Sequence, residues 1–125
     1  MKKLKVLGID DDHINMMLLK LLLKKNENVG EILTGNNGEE GMEVLSNVKD
    51  VDLILLDMMM PKMNGLVFLE KKAMMEDIKD IPVIVLTTDE SLKNEAMDKG
   101  AFQFLTKPIR EKELYEKIAI VSSVL

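Results

Sequence analysis

The sequence predicts an α/β fold, a parallel sheet of five strands with helices on both faces. Short runs rich in Val, Ile and Leu alternate with longer stretches of helical spacing, five times over. Two of those runs, Leu53-Ile54-Leu55-Leu56 and Val83-Ile84-Val85-Leu86, carry no polar alternation, as strands buried on both faces do. The length, 125 residues, suits one domain at roughly 100–200 residues each. Its 46% hydrophobic and 31% charged residues form a globular mixture rather than a disordered or low-complexity one.

The first strand covers 5–9 and runs into Asp10-Asp11-Asp12, where Asp11 or Asp12 can cap the first helix. In that helix Ile14, Met17, Leu18, Leu21 and Leu22 follow the i, i+3, i+4, i+7, i+8 pattern expected of one buried face. The second strand, 31–34, is shorter and more polar, which suits an edge. A polar helix over 38–45 leads to the third strand, 53–56, and then to a helix carrying Leu66, Leu69 and Ala73. Pro82 opens the fourth strand, 83–87. The helix over 90–99 has Thr88 or Asp89 as its cap and Gly100 as its stop. The fifth strand, 102–106, is closed by Pro108, where no ladder hydrogen bond is lost. Leu114, Ile118 and Val121 mark the buried face of the last helix. With no linker, repeat or composition shift, residues 1–125 read as one domain. Met1 at the start reads as a stand-alone chain, with a domain excised from a longer protein as the alternative.

Several classes are excluded. There is no cysteine, so no disulfide framework, thiolate zinc site or cysteine nucleophile exists. No apolar run exceeds four residues, against the ~18 a membrane helix needs. The basic start, Met1-Lys2-Lys3-Leu4-Lys5, precedes an apolar run too short for a secretory signal. A net charge of −5 disfavours direct binding to a nucleic-acid backbone. A cytoplasmic domain is the expectation.

The informative feature is where the polar residues fall. Four of the five strands end in a group capable of chemistry: Asp10-Asp11, Asp57, Thr87 and Lys107. In open α/β sheets ligands bind beyond the carboxyl ends of the strands, so these groups converge on one rim. Carboxylates crowded there repel, by ~4 kcal/mol for a pair 4 Å apart at an effective dielectric of 20. Lys107 offsets one charge, and a hard divalent cation such as Mg²⁺ suits the remaining all-oxygen site. Cations and a hydroxyl around one carboxylate make a phosphoryl site in which Asp57 can serve as nucleophile.

These residues resemble the response-regulator receiver domains of two-component signalling, of the chemotaxis-regulator-like, single-domain kind. The matching stretches are Val6-Leu7-Gly8-Ile9-Asp10-Asp11-Asp12, Asp52-Leu53-Ile54-Leu55-Leu56-Asp57-Met58-Met59-Met60-Pro61-Lys62-Met63-Asn64-Gly65, Ile81-Pro82-Val83-Ile84-Val85-Leu86-Thr87 and Gly100-Ala101-Phe102-Gln103-Phe104-Leu105-Thr106-Lys107-Pro108. The resemblance implies a flavodoxin-like, doubly wound sheet in the order 2-1-3-4-5. It implies that Asp57 takes a phosphoryl group from a phosphohistidine on a sensor histidine kinase or phosphotransfer protein. Asp10, Asp11, Asp57 and the backbone carbonyl of Met59 would hold Mg²⁺, and Thr87 and Lys107 would bind the phosphoryl oxygens. The Lys107–Pro108 peptide is expected to be cis. Thr87 and Phe104 would form the switch, altering the surface of the fourth helix, fifth strand and fifth helix for a downstream protein. Such a domain is a phospho-acceptor that catalyses its own phosphorylation and dephosphorylation, not a turnover enzyme. Met59 and Asp89 occupy positions that tune dephosphorylation in similar domains. Phe102-Gln103 stands where one transcription-factor branch has an acidic pair.

Blander readings compete with these. Asp10-Asp11-Asp12 alone could be a helix cap, and Thr87 or Lys107 alone would be unremarkable. His13, beside the acids, reads as a solvated helix-start residue. The eleven methionines read mostly as core and loop filler. Lys24-Lys25 and Lys71-Lys72 read as solvated helix faces. Phe102 and Phe104, two apart, are expected on one side of the fifth strand, covered by helices or part of a partner surface. A second function class is a small Mg²⁺ phosphatase of haloacid-dehalogenase type, with Asp10 as nucleophile and Asp12 as acid/base. Against it, Ile14 stands where Thr or Val is expected, the chain lacks a cap, and Asp57 has no role.

Overall fold

The computed structural model describes residues 3–60 and 63–125. The basic start at Met1-Lys2 and the Pro61-Lys62 part of the matching motif lie outside the described residues. The strands are β1 (Leu4–Ile9), β2 (Val29–Gly35), β3 (Leu53–Asp57), β4 (Val83–Thr87) and β5 (Gln103–Thr106). The helices are α1 (His13–Lys25), α2 (Gly38–Asn47), α3 (Gly65–Ala73), α4 (Lys93–Asp98) and α5 (Glu111–Val124). A 3-10 turn over Glu90–Leu92 precedes α4, so the fourth helical stretch is split. Asp89 caps that turn, while α4 itself starts without a side-chain cap.

The sheet runs β2-β1-β3-β4-β5 with every pair parallel. The polar strand β2 lies at an edge, as its composition predicts. The uninterrupted apolar strands are explained by their period of two. Val6, Leu53, Leu55, Ile84 and Leu86 point into one core with α1 and α5. Leu7, Ile9, Ile54, Leu56, Val83 and Val85 point into a second core containing Phe68 of α3 and Ala96 of α4. A strand sandwiched between two cores has no solvent face on which to spend a polar residue. Tyr115 of α5 donates its hydroxyl to the Leu22 carbonyl at 2.6 Å, tying the two helices of the first layer together. That carbonyl lies in the last turn of α1, where helix acceptors lack intrahelical partners.

Four expectations are corrected. In α1 the buried positions are Met16, Leu19, Leu22 and Leu23, and Ile14, Met17, Leu18 and Leu21 face outward. The helix carries two apolar stripes of equal period, and its seating on the sheet buries the other one. In α3 Leu69 is buried with Phe68 and Lys72, whereas Leu66 is half-buried and Ala73 exposed. Lys72 is not solvated; its ammonium donates to the Lys79 carbonyl at 2.8 Å and is pushed down to about 8 by desolvation, with Asp80 acting the other way. Phe102 precedes β5 and packs against the α1–α5 core, while Phe104 packs against the opposite one. The methionines divide, with Met16, Met58, Met60 and Met63 buried and Met17, Met59, Met74, Met75 and Met97 exposed.

Candidate functional site

The rim at the carboxyl ends of β1 and β3 is built by the sheet register. Ile9 pairs with Leu56, so Asp10 and Asp57, each one residue further on, leave the sheet side by side. Asp12 then turns the chain into α1, its carboxylate accepting from the N–H groups of Ile14 and Asn15 at 2.9 and 3.2 Å. After Asp57, α3 returns close to the strand at Gly65, whose N–H donates to the Met58 carbonyl at 3.1 Å. A Cβ there would lie 2.8 Å from Met58 Cα and 3.1 Å from the Asp57 carbonyl, a separation only glycine permits. Gly65 thus shapes the site without carrying chemistry of its own, at the end of a stretch that matches the family. Its signal in the sequence is the Asn64-Gly65 pair at a helix start.

Asp10, Asp11 and Asp57 each offer an oxygen within 4.8 Å of the others. Asp10 and Asp57 are buried, and Asp11 is exposed at the mouth. The Lys107 ammonium reaches Asp10 Oδ2 at 2.9 Å and Asp57 Oδ1 at 3.3 Å. Burial works to lower that ammonium, but the hydrogen bond to Asp10 and the charges of Asp57 and Asp10 hold it above the ordinary lysine value. The Asp57 carboxyl is pushed up from 3.8 to about 6, first by burial and then by the charge of Asp10, against Lys107 and the Met59 N–H. One ammonium does not balance three acids. The donor set fits a hard, oxygen-seeking cation, with no histidine or cysteine sulfur or nitrogen in the cluster.

The remaining sequence candidates are placed as follows. Lys107–Pro108 is cis, as the resemblance implies. Met59 donates its N–H to Asp57 Oδ1 at 3.3 Å and turns its side chain to solvent. Thr87 ends β4 fully buried, and its hydroxyl oxygen accepts the Asp89 N–H at 3.1 Å. Phe104 is half-buried, and His13 is exposed at the start of α1. The phosphatase alternative gains no support here: Asp12, its acid/base, lies outside the Asp10, Asp11 and Asp57 cluster and caps α1 through Oδ1.

A five-stranded 2-1-3-4-5 sheet with an acid cluster and a lysine at its carboxyl rim defines a class of phosphoryl-handling α/β proteins. Residues 6–119 match the family model for the response regulator receiver domain, and the chain belongs to that family. It is 33% identical over 116 residues to the two-component response regulator-like protein PRR73 of Oryza sativa subsp. indica, covering 90% of this chain and 15% of that protein. It is 29% identical over 111 residues to the two-component response regulator ORR3 of the same subspecies, covering 87% and 83%. The chain thus spans only a small part of some curated relatives. Among solved structures it is similar to the chemotaxis protein CheY4 of Vibrio cholerae, with a TM-score of 0.85 and 27% identity, covering 95% and 98%. No described helix is long and apolar enough to cross a membrane.

Proposed function

We propose that residues 1–125 form one receiver domain in which Asp57 accepts a phosphoryl group from the phosphohistidine of a sensor histidine kinase or phosphotransfer protein. The observation that carries this reading is the convergence of Asp10, Asp11 and Asp57 within 4.8 Å, with Lys107 bridging two of them. An Asp57 carboxylate oxygen attacks phosphorus, and the phosphorus–nitrogen bond breaks with its electron pair returning to the donor imidazole. Lys107, already on Asp57, is placed to follow the charge onto the phosphoryl oxygens. Asp10, Asp11, Asp57 and the Met59 carbonyl would hold Mg²⁺. When bound, that ion neutralises the crowded oxygens and the incoming phosphoryl charge.

Thr87 is the second phosphoryl ligand in this reading. Its hydroxyl oxygen accepts the Asp89 N–H, so its own proton is free to donate to a phosphoryl oxygen once Thr87 swings toward the rim. Phe104, half-buried beside that layer, follows into the vacated space, and the α4–β5–α5 surface changes for a downstream protein. The domain acts as a cytoplasmic phospho-acceptor rather than a turnover enzyme. Incubation with acetyl phosphate or a phosphohistidine donor and Mg²⁺ should add one phosphoryl mass. Asp57→Asn should abolish the adduct; its persistence in that variant would move the acceptor elsewhere.

A further inference from the structure

Among the described residues the exposed methionines are Met17, Met59, Met74, Met75 and Met97. Of these, Met59 is the one tied to the acid cluster, through its N–H to Asp57 Oδ1 at 3.3 Å. Its side chain is 61% exposed, whereas Met58 and Met60 on either side are 2% and 9% exposed. Oxidation of a thioether follows its exposure, so two neighbours of identical chemistry are shielded while Met59 is open. Met59 also borders a cavity of about 500 Å³, with Leu66 and Leu92 among its walls. That wall accommodates a thioether and not a strongly polar group.

We propose that Met59 is a redox-modification site, at which oxidation to the sulfoxide by a hydroperoxide shortens the life of the phosphoryl group on Asp57. Its effect rests on Asp57 being the phospho-acceptor, as proposed above. In the oxidation one oxygen atom passes from the peroxide to sulfur. The sulfur–oxygen bond forms as the oxygen–oxygen bond breaks, sulfur gives up two electrons, and the peroxide leaves as water or an alcohol. Hydrolysis of the acyl phosphate needs a water held with its lone pair towards phosphorus and its proton on a neighbouring acceptor. A thioether sulfur is a weak acceptor, while the sulfoxide carries a polar oxygen on the same flexible stem. Too polar for the wall formed with Leu66 and Leu92, the oxidised side chain turns to the rim, where it holds that water. The modification is reversible, because sulfoxide reductases return the thioether.

The absence of cysteine leaves methionine as the sulfur that peroxide meets. In the full chain carrying Met17→Leu, Met74→Leu, Met75→Leu and Met97→Leu, mass mapping after mild hydrogen peroxide should find one added oxygen on Met59 and none on Met58 or Met60. After phosphorylation with acetyl phosphate and Mg²⁺, the oxidised form should lose its phosphoryl group roughly fivefold faster than the unoxidised one, the worth of one hydrogen bond to the water. Treatment with methionine sulfoxide reductases should restore the slow decay. Met59→Leu should make the decay rate indifferent to peroxide. Met59→Gln, whose side-chain carbonyl supplies a permanent acceptor, should decay fast without any oxidant. An Asp57 adduct that decays no faster after oxidation overturns the proposal. So does a peroxide response that survives Met59→Leu, or oxygen added to Met58 or Met60 in preference to Met59. A chain that takes no phosphoryl group even before oxidation removes Asp57 as acceptor, and this effect with it.

Discussion

Asp57 is held where its charge is costly. Burial and the neighbouring Asp10 charge lift its carboxyl to about 6, so the folded chain holds a proton there that the unfolded chain releases nearer 3.8. The stability this contributes is fully present below the unfolded value and is lost as pH rises through about 6. Asp57→Asn mimics the neutral form. In metal-free buffer the variant should match the native protein near pH 3.5 and exceed it by roughly 1–3 kcal/mol above pH 7. Urea unfolding across that range checks the sign; a variant less stable at neutral pH would mean that the Lys107 ion pair outweighs the cost. An acid whose charge is this costly gains most from a cation or a phosphoryl group, which fits the role proposed for Asp57.

At the scale of elements, the approach of α3 to the end of β3 depends on the missing side chain at Gly65. A methyl group there would meet Met58 backbone, which cannot rotate away as a side chain could. Gly65→Ala should cost about 1–3 kcal/mol in denaturant unfolding and slow phosphorylation of Asp57, whose carbonyl borders the same gap. A variant of native stability and phosphorylation rate would show that the loop relaxes freely. Helix α1 teaches a different lesson. Its cap was legible only as Asp11 or Asp12, since either can accept from the first free N–H groups, and the fold selects Asp12. Its buried face was not, because Ile14, Met17, Leu18 and Leu21 fit a helical period as well as Met16, Leu19 and Leu23 do. Lys71-Lys72 shows the same limit: Lys71 is exposed and Lys72 buried, since only the loop carrying Lys79 supplies a partner for the ammonium.

For the whole molecule, metal binding would be linked to folding, because the acids that would hold the ion come together through the paired strands β1 and β3. Mg²⁺ at a hundred times its dissociation constant should raise unfolding stability by about 2.7 kcal/mol. In Asp11→Ala the gain at the same Mg²⁺ concentration should largely vanish, and calorimetric Mg²⁺ affinity should fall sharply. Unchanged affinity would contradict the ligand assignment. The alternation of strands and helices, the polar edge strand and the placement of Asp10, Asp11, Asp57 and Lys107 at strand ends all belong to the sequence. Each follows from local periodicity and from the rule that strand ends of a parallel sheet share one rim. The tertiary structure alone decided which stripe of α1 is buried, that Phe102 and Phe104 enter opposite cores, and that the Thr87 hydroxyl rests on Asp89. Periodicity fixes the direction in which a side chain leaves its own backbone, whereas burial and pairing depend on which distant segment arrives to meet it.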